Sequence, residues 1–331
     1  MRRREFITLL SGAAVTWPLG ARAQQSGGVR RISVLMAIAE NDPEGQARVA
    51  AFREGLQKLG WTEGRNIRID TRWATPRDAE SRQRFAKELV ALHPDLILSH
   101  ATPTTATLLQ QTRTIPIIFA GVSDPVGSRF VASFPRPGGN VTGFITMEPT
   151  MAGKWLELLK EIAPRVARVA LLFNPATAPY AEYWLSPFKA AATSFALDAI
   201  AAPVRDMSEL ESAIAAQARA PNGGLIVMPD TFLNAHRAEI TSLAARHRLP
   251  AVYPFRFFPE LGGLLSYGTD LVDDYRRAAS HADRILKGAK PGELPVQAPA
   301  KFELTINLKT AKALGLDVPL HLQQRADAVI E

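Results

Sequence analysis

Six residues, Thr102, Ser123, Asp124, Asn174, Asp230 and Tyr253, stand where short apolar runs give way to a turn or a helical pattern. Their types suit capture of a small polar molecule better than bond making. A hydroxyl such as Thr102 or Ser123, ahead of the free amides of a helical segment, can hold a carboxylate. Asp230 can take an ammonium group, and Asp124 and Asn174 can do the same. Facing one another across a cleft, such groups fit a zwitterion such as an amino acid. Each also has an ordinary explanation, since Ser and Asp before a helix usually cap it. Co-occurrence at several strand ends favours recognition. The aromatics Tyr180, Tyr183, Trp184, Tyr253, Phe255, Phe257 and Phe258 offer an apolar wall, Tyr253 first because it ends a strand-like run.

Covalent chemistries fit the residues less well. Gly121-Val122-Ser123-Asp124-Pro125 approaches the G-x-S-x-G turn of a serine hydrolase, but Pro125 replaces the second glycine and fixes φ where a tight strand-to-helix turn is needed. Neither glycine-rich phosphate motif occurs, and Gly138-Gly139 leads into Asn140 and a strand instead of a helix N-terminus. The six histidines form no H-E-x-x-H pattern, and Asp270, Asp273 and Asp274 read as the capped, acidic first turn of a helix, so no metal or other cofactor is expected. There is no cysteine, which removes disulfides, thiolate catalysis and a lipid anchor on an N-terminal cysteine.

The elements that must position these residues alternate. Strand-like runs at 31–36, 67–73, 96–99, 115–120, 141–146, 169–173, 199–204, 225–228, 251–253 and 264–267 are separated mostly by helical patterns such as Val49, Phe52, Leu56 and Leu59. This order predicts parallel sheets with helices on both faces. The path from Asp95 through a helix to Ile118 parallels the path from Gly224 to Val252, which points to two similar α/β lobes. Ligands of such sheets sit beyond the carboxyl ends of the strands, where the six residues fall.

With 331 residues, of which 47% are hydrophobic, the chain can build two cores. Residues 1–23 read as an export signal: Arg2, Arg3 and Arg4, a short apolar stretch from Ile7 to Leu19, and Ala21-Arg22-Ala23 as the cleavage site. Arg3-Arg4-Glu5-Phe6-Ile7 is similar to the twin-arginine address. Cleavage near Ala23 lowers the formal charge from +7 to +4, too mild and too dispersed for nucleic-acid binding. An exported, unanchored protein that serves its own cell is expected in a periplasm.

Four stretches carry a family resemblance: IPIIFAGVSDPVG, RPGGNVTG, GGLLSYGTDLVDDYRRAASHADRILKGAKPGELPV and FELTINLKTAKALGLDVP. They resemble the periplasmic substrate-binding components of ABC transporters related to the tryptophan-binding TrpX proteins. The resemblance implies a type I periplasmic-binding-protein-like α/β fold, with two doubly wound parallel-sheet lobes joined by a multi-strand hinge. It implies an N-terminal lobe of 29–145 plus about 268–298 and a C-terminal lobe of 146–267 plus about 299–331, the chain passing between them near 140–146. It also implies a monomeric, non-enzymatic role: an amino acid is enclosed and delivered to an ABC transporter permease and its ATPase. A ligand-sensing receptor domain shares this fold, and a periplasmic serine hydrolase is the remaining rival.

Overall fold

The computed structural model describes residues 28–219 and 221–331; the export signal read at residues 1–23 lies outside the described residues. The first sheet begins with β1 (Arg30–Met36), in which Ile32, Val34, Leu35 and Met36 are wholly buried. Asp42 then caps α1 (Pro43–Lys58), accepting from the Glu44 amide at 2.9 Å, with proline at the first helical position. There follow β2 (Ile67–Trp73), α2 (Ala79–Ala91), β3 (Leu96–His100), α3 (Ala101–Gln111), β4 (Ile117–Val122) and β5 (Val141–Ile145). The strands are parallel in the order β2-β1-β3-β4-β5, with one core on each face of the sheet. Burial on both faces is why β3 and β4 read as continuous apolar runs.

The chain crosses to the second lobe after β5. It continues through α4 (Met151–Ile162), β6 (Arg168–Phe173), α5 (Ala181–Ser194), β7 (Asp198–Pro203), α6 (Met207–Arg219), β8 (Gly223–Val227), α7 (Thr231–Ala235), α8 (Arg237–Arg246), β9 (Ala251–Tyr253), α9 (Phe257–Glu260) and β10 (Leu265–Thr269). It then returns: α10 (Leu271–Leu286), capped by Asp270, lies along α1. That approach is close enough to require Gly55, where a Cβ would stand 2.7 Å from the Ala279 Cβ and the Arg276 carbonyl. A last crossing leads to β11 (Phe302–Asn307), α11 (Leu308–Ala313), α12 (Leu320–Arg325) and β12 (Ala328–Ile330) in the second sheet.

That sheet runs β12-β11-β10-β9-β8-β6-β7 and is parallel except for the β10–β11 pair. The ten strand-like runs of the sequence all became strands. Two more, β11 and β12, escaped the reading. Phe302, Leu304 and Ile306 do alternate with polar residues, but the run passes straight into α11, and β12 has only three residues. Among the described residues no helix is long and apolar enough to cross a membrane.

Candidate functional site

The carboxyl ends of both sheets meet at a cavity of about 120 Å³. Lobe one lines it with Ala37, Ile38 and Ala39 after β1, Asp42, Glu44 and Arg48 at the start of α1, Thr75 and Pro76 after β2, and His100 at the end of β3. Lobe two contributes Thr231, Asn234, Arg237 and Phe257. Two contacts hold the walls together. Arg237 pairs with Asp42 at 2.9 Å, both side chains mostly buried, and the Arg77 guanidinium lies over the Phe232 ring at 5.2 Å.

On the lobe-one side, β3 runs into α3 without a loop. Ala101 makes the junction in the left-handed region at φ 68°, a conformation that costs a residue with a Cβ about 1–2 kcal/mol. Hydroxyls brace it: Ser99 Oγ lies 2.9 Å from both Thr104 Oγ1 and Thr105 Oγ1, Thr105 donates to the Ala101 carbonyl at 2.9 Å, and Thr104 donates to the His100 carbonyl. The turn fixes His100, whose Nδ1 accepts the Ala37 amide at 3.2 Å and whose Nε2 lies 3.3 Å from Arg48 Nη1. Burial first, and then the Arg48 charge, hold this imidazole well below its usual pKa. Arg48 is itself buried, with Glu44 at 3.4 Å as its ion-pair partner, and its Nε lacks a hydrogen-bond partner.

On the lobe-two side, Asp230 joins two strand-end loops. Its Oδ2 accepts the Asn174 amide at 2.6 Å, while Oδ1 accepts the Phe232 amide at 2.6 Å and the Thr177 hydroxyl at 2.5 Å. Burial pushes its carboxyl up to about 6, against the pull of those donors. Asn174 spends its side chain on the Ala176 amide at 2.9 Å and the Arg205 carbonyl at 3.1 Å. Tyr180 donates to the Pro229 carbonyl at 2.7 Å and stands beside Ser123 of lobe one. Tyr183 is raised by burial and then by the nearby carboxylates of Asp124 and Glu148.

The six residues singled out in the sequence therefore have different surroundings. Ser123, Asn174 and Asp230 come together through Tyr180, Pro229 and Thr177, and the Asp124 charge acts on Tyr183 of the other lobe while its Oδ1 accepts the Gly127 amide at 2.7 Å. Thr102 sits in the first turn of α3 instead of a loop, buried, with its hydroxyl unpartnered. Tyr253 lies in the second core, stacked on Phe258 at 4.7 Å. None of the six lines the cavity. After β4 the chain makes turns, with no helix before β5, so the strand-turn-helix setting of a nucleophile elbow is missing at Ser123. Among the described residues, no group of three or more acidic or histidine side chains could hold a metal.

Sequence reasoning passed over Asp42, Arg48, His100, Asn234 and Arg237. Arg48 had a legible signal, because it falls in the buried stripe of α1 with Val49, Phe52 and Leu56, where a cation needs a reason. His100 directly follows the run Leu96–Ser99 but was overshadowed by the hydroxyl of Thr102.

The comparisons with known proteins agree with this architecture. The family model described as ABC transporter substrate binding protein matches residues 31–330. The Tyrosine-binding protein of Clostridioides difficile (strain R20291) is 27% identical over 265 residues, covering 80% of this chain and 75% of that one. The crystal structure of an ABC domain in complex with L-Trp from Streptococcus pneumonia is 26% identical with a TM-score of 0.84, covering 91% of this chain and 99% of the other. A conserved domain protein from Vibrio cholerae gives 27% identity and a TM-score of 0.83 over the same shares. With two lobes meeting at their strand ends and a family match across nearly all of the described residues, the chain belongs to the ABC transporter substrate-binding proteins.

Proposed function

We propose that this protein is the periplasmic solute-binding component of an ABC importer, enclosing an amino acid between its lobes and handing it to a membrane permease driven by a separate ATPase. The observation that carries this reading is the cavity walled jointly by strand ends of both lobes and bridged by Asp42 and Arg237. The named tyrosine- and tryptophan-binding relatives support an amino acid as ligand. Thr102, Ser123, Asp124 and Asn174 are proposed to reach it when the lobes move, with Asp230 ordering the loops that carry Asn174 and Thr177, and Tyr253 backing the apolar wall. Lobe closure is a two-state equilibrium, and moving it from 1:99 to 99:1 takes about 5.5 kcal/mol of differential affinity. Two or three charge-assisted hydrogen bonds made only in the closed form supply that, at roughly 1.5–3 kcal/mol each.

Residues 1–23 are proposed as the export signal, cleaved near Ala23, and the lobes as 29–145 with about 268–298 and 146–267 with about 299–331. A thermal-shift screen on refolded, ligand-stripped protein tests the ligand class, since a molecule that binds only the folded state raises its stability. Aromatic or branched amino acids are expected to raise Tm. Their failure, with a shift from an unrelated class of metabolite, would overturn the amino-acid reading.

A further inference from the structure

The wall formed by Arg48 and His100 has more donors than acceptors. An imidazole offers at most one accepting nitrogen. Two N–H groups point at this ring: the Ala37 amide at Nδ1, 3.2 Å away, and Arg48 Nη1 at Nε2, 3.3 Å away. With the proton on Nε2, the Ala37 bond is made and an N–H faces a guanidinium; with the proton on Nδ1, the conflict moves to Ala37. Protonating the ring makes both sides conflict. In every state one acceptor is missing, in a corner where buried polar groups ordinarily find partners.

The surroundings indicate what kind of acceptor fits. An oxygen at the apex of a triangle on the 3.3 Å line between Nη1 and Nε2 would receive both N–H groups at ordinary lengths of about 2.9 Å. The Arg48 charge faces two carboxyl groups, the half-buried Glu44 at 3.4 Å and the buried Asp274, whose carboxyl burial pushes up to about 8. The second arginine of the cavity, Arg237, is already paired with Asp42. Arg48 Nε has no partner either, and a carboxylate would bring the negative charge that a neutral carbonyl lacks. On the facing wall, Thr231 Oγ1 and Asn234 Oδ1 are buried without partners.

We propose that the Arg48–His100 corner receives a carboxylate of the bound ligand. The inference rests on the cleft being the binding site, and it deepens that reading by naming the group recognised and the residues that recognise it. The carboxylate can be the backbone acid of an amino acid or a side-chain acid, and matched ligand pairs separate the two.

The experiment is calorimetric titration of refolded protein with acids and their amides: L-tryptophan and L-tryptophanamide, L-glutamate and L-glutamine, succinate and succinamide, benzoate and benzamide. In at least one pair the acid is expected to bind roughly tenfold or more tightly than the amide. A gap in the tryptophan pair assigns the backbone acid, and one in the glutamate pair assigns a side-chain acid. Arg48→Gln should close the gap. Because that change is buried, the half-buried Glu44→Gln serves beside it: removing the competing carboxylate should widen the acid–amide gap several-fold. Amides that bind as well as acids, or a gap indifferent to Glu44→Gln and to any folded Arg48→Gln, would overturn the proposal. Succinate or benzoate binding through Arg48 while every amino acid fails would keep the corner and sink the amino-acid reading. Failure of all the acids would sink the corner.

Discussion

Two buried polar corners, one in each lobe, differ in bookkeeping. At Asp230, a carboxylate meets two backbone amides and a hydroxyl, all within 2.6 Å, and both oxygens are used. At Arg48 and His100, donors outnumber acceptors and a guanidinium nitrogen goes unpartnered. Both place a charged side chain at strand ends, where ligand chemistry is sought. The saturated corner is architecture, holding the loops after β6 and β8 in register. The unsaturated one has capacity left for a ligand. A charged residue's position nominates it for binding, and its unspent hydrogen bonds decide.

The largest effect that would break this contrast is at Asp230. Asp230→Ala strands the amides of Asn174 and Phe232 and the hydroxyl of Thr177 in a buried site, at a cost of roughly 3–5 kcal/mol. Urea unfolding should show a lower midpoint with an unchanged m-value. A loss under 1 kcal/mol would mean that the corner is not structural.

Next comes Asp274, a buried carboxyl with little support. Its Oδ1 lies 3.6 Å from Arg277, its Oδ2 has no partner, and burial pushes it up to about 8. The folded chain therefore holds a proton there that the unfolded chain releases near the ordinary aspartate pKa. Stability from this group is full at acid pH and is lost as pH rises from about 4 to about 8. Between pH 4.5 and 7 the loss is about 3 kcal/mol, taking 1.36 kcal/mol per unit. Asp274→Asn should remove that dependence, so that its Tm relative to the parent climbs with pH; a flat difference would show that Asp274 does not titrate in this window.

The contrast also explains what the sequence could and could not disclose. Alternation of apolar runs and helical stripes laid out ten of the twelve strands among the described residues, because burial of a sheet on both faces writes itself into Val, Ile and Leu. Strand-end polarity brought out Asp230 and Asn174 as residues that matter. What each does with its hydrogen bonds is a three-dimensional property: Asp230 meets Asn174 and Thr177 from more than fifty positions away. Arg48 and His100 are likewise 52 residues apart, and neither means much without the other. Tyr253 ends a strand, yet the stacking of Phe258 that takes it into the core depends on how α9 folds back.

A smaller effect probes how the two lobes are held together. The Asp42–Arg237 pair is 2.9 Å long, and its side chains are only 11% and 18% exposed. Asp42→Asn keeps an oxygen to cap α1, since Asn and Asp cap equally well, and removes the charge that meets Arg237. The closed form should lose about 1 kcal/mol, read as a roughly fivefold weaker apparent Kd and, by small-angle scattering, a larger radius of gyration at subsaturating ligand. Affinity and radius both unchanged would remove the pair from closure.

The smallest effect is at the strained joint. Ala101 holds φ 68° so that β3 can enter α3 with no intervening loop, and the joint fixes where His100 stands relative to Ala37 and Arg48. Glycine would relieve about 1–2 kcal/mol of left-handed strain but would lose about 0.5–1 kcal/mol in the entropy of ordering a freer residue. Ala101→Gly is thus expected to gain up to about 1.5 kcal/mol in urea unfolding while binding ligand a few-fold more weakly, as the imidazole becomes less firmly placed. The opposite signs are the point. Strain retained at a binding corner trades stability for position, whereas strain at a purely structural joint would be relieved without loss. If Ala101→Gly stabilises the fold and leaves affinity untouched, the hydroxyls of Ser99, Thr104 and Thr105 suffice to hold His100, and the strain at Ala101 serves only the path of the chain.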